Sequence, residues 1–134
     1  MNVWYLHGVE SDGGRPKVDF LNSVADRVFA PKMVYSNPNM FKTLLEAARI
    51  DKPDLIIGSS MGGYFADALG VSYGETNWKR NFVVGTEDDV IDPKATRVYK
   101  DLANSWTEIE GMGHRTSLTV FRDIYKKIIL NETN

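Results

Sequence analysis

Three short stretches of this sequence hold side chains able to do chemistry together. They are Gly58-Ser59-Ser60-Met61-Gly62-Gly63, Gly85-Thr86-Glu87-Asp88-Asp89-Val90-Ile91-Asp92-Pro93 and Gly111-Met112-Gly113-His114-Arg115. A serine hydroxyl is a weak nucleophile at neutral pH. It becomes effective when a histidine takes its proton and a carboxylate holds that histidine in the right tautomer. The first stretch contains G-x-S-x-G centred on Ser60. A nucleophile at a sharp strand-to-helix turn adopts a strained backbone, so the residues two away on each side must be small. Gly58 and Gly62 meet that need around Ser60, whereas centring on Ser59 would put Ile57 and Met61 there. Sterics therefore select Ser60.

Each stretch also has a plainer reading. A G-x-S-x-G match arises by composition in a chain of this length about one time in twenty, so its placement matters more than the pattern. A Gly/Ser turn can simply pack a helix closely on a sheet, or cradle a phosphate at a helix N-terminus. The phosphate reading lacks the P-loop lysine-hydroxyl pair and G-x-G-x-x-G. The acidic stretch reads equally as a solvated loop in which Asp92, before Pro93, caps a helix. His114 is one of two histidines in the chain, and the other, His7, sits in Leu6-His7-Gly8-Val9.

The elements that must position these loops alternate. Val3-Trp4-Tyr5-Leu6, Met33-Val34-Tyr35, Leu55-Ile56-Ile57, Phe82-Val83-Val84 and Trp106-Thr107-Glu108-Ile109 are short apolar runs rich in β-branched and aromatic residues, and read as strands. Between and after them, helical spacing joins Leu21, Val24, Ala25 and Val28; then Phe41, Leu44, Leu45 and Ala48; then Tyr64, Phe65, Ala68 and Leu69; then Ala95, Val98, Tyr99 and Leu102; and last Leu118, Phe121, Tyr125, Ile128 and Ile129. Residues 70–79 have a weak pattern and read as a loop. Alternation of strand and helix predicts an α/β fold, a doubly wound, mostly parallel sheet of about five strands with helices on both faces. In such sheets ligands bind outside the carboxyl ends of the strands. Ser60, the acid cluster and both histidines fall at that edge.

Size and composition bound the rest. A chain of 134 residues makes one domain, residues 1–134, with one core. Its net charge of −2 leaves no basic footprint for nucleic acid or an anionic membrane. No apolar run approaches the roughly 18 residues of a membrane span, and no basic, then apolar N-terminal segment reads as a signal peptide. With no cysteine there are no disulfides or thiolate metal sites, and a cytoplasmic protein is the expectation.

The quoted segments resemble the α/β-hydrolase superfamily, in particular its small, lidless bacterial esterases and thioesterases, over nearly the whole chain. "YLHGV" is similar to the family's His-Gly oxyanion segment, "GSSMGG" to its nucleophile elbow, "GTEDDVID" to its acid loop and "GMGHR" to its histidine loop. The order serine, acid, histidine is also the family's. The resemblance implies that Ser60 attacks the acyl carbonyl, that His114 is the general base, and that Asp88, with Asp89 as runner-up, orients the imidazole. It implies an oxyanion hole from the backbone N–H groups of Met61 and Val9, with His7 tying down neighbouring backbone. It calls for no cofactor or metal, and for a small-molecule ester or thioester as partner.

The family's two N-terminal antiparallel strands have no counterpart here, nor does the strand it places between the elbow helix and the acid strand; residues 70–79 stand in that position. The expected architecture is a reduced three-layer α/β hydrolase without a lid, its sheet ordered 2-1-3-4-5, with a shallow, open site suited to small esters. That order is shared with flavodoxin-like folds. Two alternatives therefore stay open: a phosphate- or nucleotide-binding protein, and a hydrolase fold that has lost catalysis and serves as an interaction module.

Overall fold

The computed structural model describes residues 1–8, 14–73, 79–88 and 97–133, in two compact units, Met1–Trp78 and Lys79–Asn134. The first unit is organised around β1 (Asn2–Leu6), whose Val3, Trp4, Tyr5 and Leu6 are at most 1% exposed. A strand so apolar on both faces can only be central. β2 (Arg27–Phe29) lies parallel on one side, with Val3 opposite Val28, and β3 (Leu55–Gly58) parallel on the other, with Trp4 opposite Ile56. Side chains alternate along β1, so Trp4 and Leu6 enter one core layer. They pack there with Met33, with Met40, Leu44 and Ala48 of α2 (Met40–Asp51), and with Leu69 of α3 (Met61–Tyr73). Tyr5 faces the opposite layer, against Gly14 at the start of α1 (Arg15–Val24).

The helix ends follow from local chemistry. Gly14 opens α1 in the left-handed region with Pro16 in the first turn, where a missing N–H costs nothing. The extended backbone of Ala25 closes it. α2 ends on left-handed Lys52, whose N–H returns to the Ala48 carbonyl oxygen at 2.8 Å, and Pro53 follows.

In the second unit β4 (Asn81–Gly85) runs parallel to β5 (Ser105–Ile109), with Phe82 and Trp106 stacked at 5.9 Å between centroids. A 3-10 turn (Arg97–Leu102) precedes β5, and α4 (Leu118–Thr133) follows it, burying Phe121 and Tyr125 one turn apart.

Three expectations need correction. The strands pair as β2-β1-β3 and as β4-β5, so they make a three-stranded and a two-stranded sheet rather than one sheet of five. The second strand is Arg27–Phe29, not Met33-Val34-Tyr35, and the helical reading of Val28 was misled by a helix that stops four residues earlier. Met33 is buried as an apolar strand residue would be, but its N–H is taken by the His7 ring instead of a ladder partner. Finally, α3 runs on to Tyr73 through Gly70, where a loop was expected from residue 70. The helix formed by Ala95 falls partly outside the described residues. Among the described residues no helix is long and apolar enough to cross a membrane.

At the far end of β1 from the elbow, Asp51 accepts from the Trp4 indole Nε1 at 2.6 Å and from Asn2 Nδ2 at 3.0 Å, and pairs with Arg27. The Trp4 and Asn2 hydrogen bonds, with Arg27 beside them, hold the Asp51 carboxyl below the usual range. A depressed carboxylate pKa contributes stability that is complete above the unfolded value, about 3.9, and is lost as pH falls through the folded one. Asp51→Ala leaves the wholly buried Trp4 side chain without this acceptor and is expected to lower unfolding free energy by about 1–3 kcal/mol at pH 7. The deficit should shrink below pH ~4. Urea denaturation at both pH values measures it; an equal deficit at both would sink the assignment.

Candidate active site

Ser60 sits between β3 and α3 with φ 57°. Among the described residues the only other non-glycine with positive φ is Lys52, which closes a helix. Ser60 closes nothing; it is the pivot at which a strand becomes a helix. A left-handed backbone costs an ordinary residue roughly 1–2 kcal/mol and persists only where the surroundings over-determine it.

Those surroundings are close backbone contacts. A Cβ on Gly58 would lie 2.0 Å from the Gly62 carbonyl oxygen, and one on Gly62 would lie 2.0 Å from that of Leu6. No side chain fits in either place, so both glycines let α3 start directly against the ends of β1 and β3. The turn is closed by Gly62 N–H to the Ser59 carbonyl and Gly63 N–H to that of Ser60, both 2.9 Å. The Met61 N–H heads the helix. Gly8, two residues past β1, is also close: a Cβ there would be 2.9 Å from that of Ser60.

His7 organises the segment beside it. Its Nδ1 bonds the Gly8 carbonyl oxygen, while its Nε2 accepts the Met33 N–H at 2.9 Å. That pair of partners requires the neutral tautomer protonated on Nδ1. Tyr35 donates its hydroxyl to the His7 carbonyl oxygen, and burial pushes its phenol up to about 12, so it stays a donor throughout the ordinary pH range. The backbone leaving β1 is thus held by the ring of its own histidine and by a phenol from the chain after β2.

In the second unit the loops after β4 and β5 are knitted together. Thr86 N–H donates to the Ile109 carbonyl at 3.1 Å and Glu87 N–H to that of Met112 at 3.0 Å, while Gly111 N–H reaches Thr86 Oγ1 at 2.9 Å. A Cβ on Gly85 would lie 2.3 Å from the Met112 carbonyl oxygen, so the crossing needs glycine there. On this base the His114 Nδ1 lies 3.0 Å and 3.2 Å from the two Asp88 carboxylate oxygens. Both side chains are mostly covered, 12% and 14% exposed. A carboxylate on Nδ1 keeps the proton on that nitrogen and makes Nε2 the basic one.

The structure therefore brings Asp88 and His114 together in one unit and sets Ser60 and Met61 in the strained turn of the other. Val9 and the alternative acid Asp89 lie outside the described residues. Tyr73, the last residue of α3, packs against the core of the first unit. No group of histidine, cysteine and acidic residues suited to a metal ion occurs among the described residues. Sequence reasoning missed the roles of Tyr5, Tyr35 and Gly85. Glycine directly after an apolar run was the available signal for the last; the two tyrosines look like core residues until their hydroxyl partners are seen.

No protein-family model matches the chain, and no curated protein matches it in sequence. Solved structures do match it in fold. A crystal structure described as a hydrolase of the alpha/beta superfamily, from Xanthomonas campestris pv. campestris, superposes with a TM-score of 0.68 over 94% of this chain and 98% of that one, at 14% identity. The chain has the α/β-hydrolase fold. Esterase PE8 gives 0.67 over 95% and 90% at 15% identity. A variant of SOBER1 from Arabidopsis thaliana gives 0.67 over 94% and 97% at 12% identity. All three matches span nearly the full length of both chains.

The two kinds of glycine constraint separate experimentally. With backbone oxygen 2.0 Å from the added Cβ, Gly62→Ala is expected to destabilise by about 3 kcal/mol or more, the upper end of overpacking losses and clearly more than Gly111→Ala. At Gly111, φ is 76° but nothing lies within 4 Å of an added Cβ, so only conformational strain of about 1 kcal/mol is imposed. Equal losses in chemical denaturation would show that the elbow glycines are not sterically required.

Proposed function

We propose that the protein is a serine hydrolase that cleaves a small carboxylic ester or thioester through an acyl-enzyme on Ser60. The observation that carries this reading is the left-handed Ser60 between Gly58 and Gly62, the strained pivot of a one-residue strand-to-helix turn. The Asp88–His114 pair supports it, because a buried carboxylate on Nδ1 prepares an imidazole for general-base work at Nε2.

In this mechanism His114 Nε2 takes the Ser60 proton as Oγ attacks the acyl carbonyl. The Met61 N–H, with that of Val9, receives the negative charge forming on the carbonyl oxygen. Asp88 stabilises the imidazolium without accepting its proton. His114 then protonates the leaving alcohol or thiol, and water admitted in its place repeats the sequence to release the acid. A phosphate cradle is less well supported. The N–H groups of Gly62 and Gly63 are used within the turn, on Ser59 and Ser60 carbonyls, instead of converging on an anion.

A fluorophosphonate probe is expected to label wild type and not Ser60→Ala, with p-nitrophenyl acetate turnover lost in parallel. Equal labelling of both would refute the reading. Asp88→Asn is expected to retain the fold and lower kcat by about 10⁴-fold, since an amide favours the wrong imidazole tautomer. A loss under tenfold would remove Asp88 from the role.

A further inference from the structure

The strain at Ser60 is held from the residue before it. Ser59 is fixed at three points: its N–H donates to the Leu6 carbonyl oxygen at 3.1 Å, its own carbonyl accepts the Gly62 N–H at 2.9 Å, and its hydroxyl meets the Tyr5 phenol at 2.9 Å. The two backbone bonds place no demand on residue type at this position. The third requires a hydroxyl at 59 and a phenol at 5, and is therefore written in the side chains.

Tyr5 is an unusual choice for its position. It is 1% exposed at the centre of the sheet, among the buried Val3, Trp4 and Leu6, where phenylalanine would supply the same packing without a polar atom to satisfy. Its ring also presses on Gly14: a Cβ there would lie 2.6 Å from Tyr5 Cε1 and 2.7 Å from the hydroxyl oxygen. The phenol is thus fixed on one side by the residue that opens α1 and delivers its hydroxyl on the other to the elbow.

We propose that Tyr5, acting through Ser59, is a positioning residue that holds Ser60 in its attacking conformation. This rests on Ser60 being the nucleophile. A strained turn stays populated only while enough contacts oppose its relaxation, and the Tyr5–Ser59 bond opposes rotation of the peptide that sets the Ser60 φ. Neither side chain touches substrate. Their loss therefore acts on the fraction of molecules with Oγ correctly placed, which lowers kcat and leaves substrate binding nearly unchanged.

Tyr5→Phe removes the hydroxyl and keeps the ring; Ser59→Ala removes the other half from the elbow side. Each is expected to lower kcat for p-nitrophenyl acetate about 3- to 10-fold, the factor expected of one net hydrogen bond. KM should stay within about twofold. An arylboronic acid, which binds a nucleophilic serine as a tetrahedral anion, should lose affinity by the same factor as kcat. The double variant should be no worse than the poorer single one, because both remove one bond. Unchanged kcat in both variants, multiplicative losses, or a loss explained entirely by less folded protein in circular dichroism would overturn the proposal. The two levels separate cleanly. An active, probe-labelled wild type with indistinguishable variants removes only the role of Tyr5, whereas a wild type that takes no probe at Ser60 removes the serine-hydrolase reading and this role with it.

Discussion

The contact on which the first unit depends is the one between the backbone of α3 and the ends of β1 and β3. Helix and strand backbones ordinarily stay apart by the thickness of their side chains. Here Gly58 and Gly62 remove that spacing, and carbonyl oxygens of Gly62 and Leu6 occupy the room where methyl groups would be. Once the helix is that close, the chain has a single residue in which to turn from strand to helix. Ser60 absorbs the turn with a positive φ. Helix and strand packing thus sustains the strain: Leu69, Ala48, Leu44 and Trp4, all 2% exposed or less, form the single core layer that holds α3 against the sheet.

The second unit solves a different problem, that of bringing two ionisable side chains into register from loops that follow separate strands. Parallel pairing sets β4 and β5 side by side so that Gly85 stands opposite Ile109. Backbone hydrogen bonds then continue past the strand ends, from Thr86 and Glu87 onto the partner loop. Asp88 and His114 meet because the sheet pattern is extended by loops, not because either side chain seeks the other across solvent. A carboxylate–imidazole contact held this way mainly defines an orientation.

Much of this was legible in residue types. β1 reads as a continuous apolar run from Val3 to Leu6 because both of its faces are covered, and the glycines flanking Ser60 report a close approach that any strand-to-helix pivot would impose. Asp88 and His114 stood out for their place after strands, His114 also as one of only two histidines. What could not be read locally was competition for backbone hydrogen bonds. Met33-Val34-Tyr35 has strand composition because Met33 and Tyr35 are core residues, yet His7 claims the Met33 N–H and the pairing edge of β1 goes to Arg27-Val28-Phe29, whose exposed outer residues hide the signal. Likewise nothing in a pattern of apolar residues says where a sheet divides. Pairing between β3 and β4 depends on how two strands meet in space, and both are equally strand-like in sequence. Residues 70–73, whose weak pattern reads as loop, stay helical because α3 is held by tertiary packing at Tyr73, which outweighs the modest helix penalty of Gly70, about 1 kcal/mol.

The bond from Ser59 N–H to the Leu6 carbonyl has a consequence in time. It joins residues more than fifty positions apart, as do the β1–β3 ladder and the packing of Gly62 on Leu6. Local helices such as α2 need none of these contacts, whereas the pivot at Ser60 has no reason to adopt its strained form until all of them exist. Closing such long loops is entropically slow and precedes any reward from the contacts. The elbow is therefore expected to be the last part of its unit to mature during folding and the first to be lost when the β1–β3 seam loosens. Activity in a protein built this way reports on the integrity of its most non-local contacts, not on its helix content.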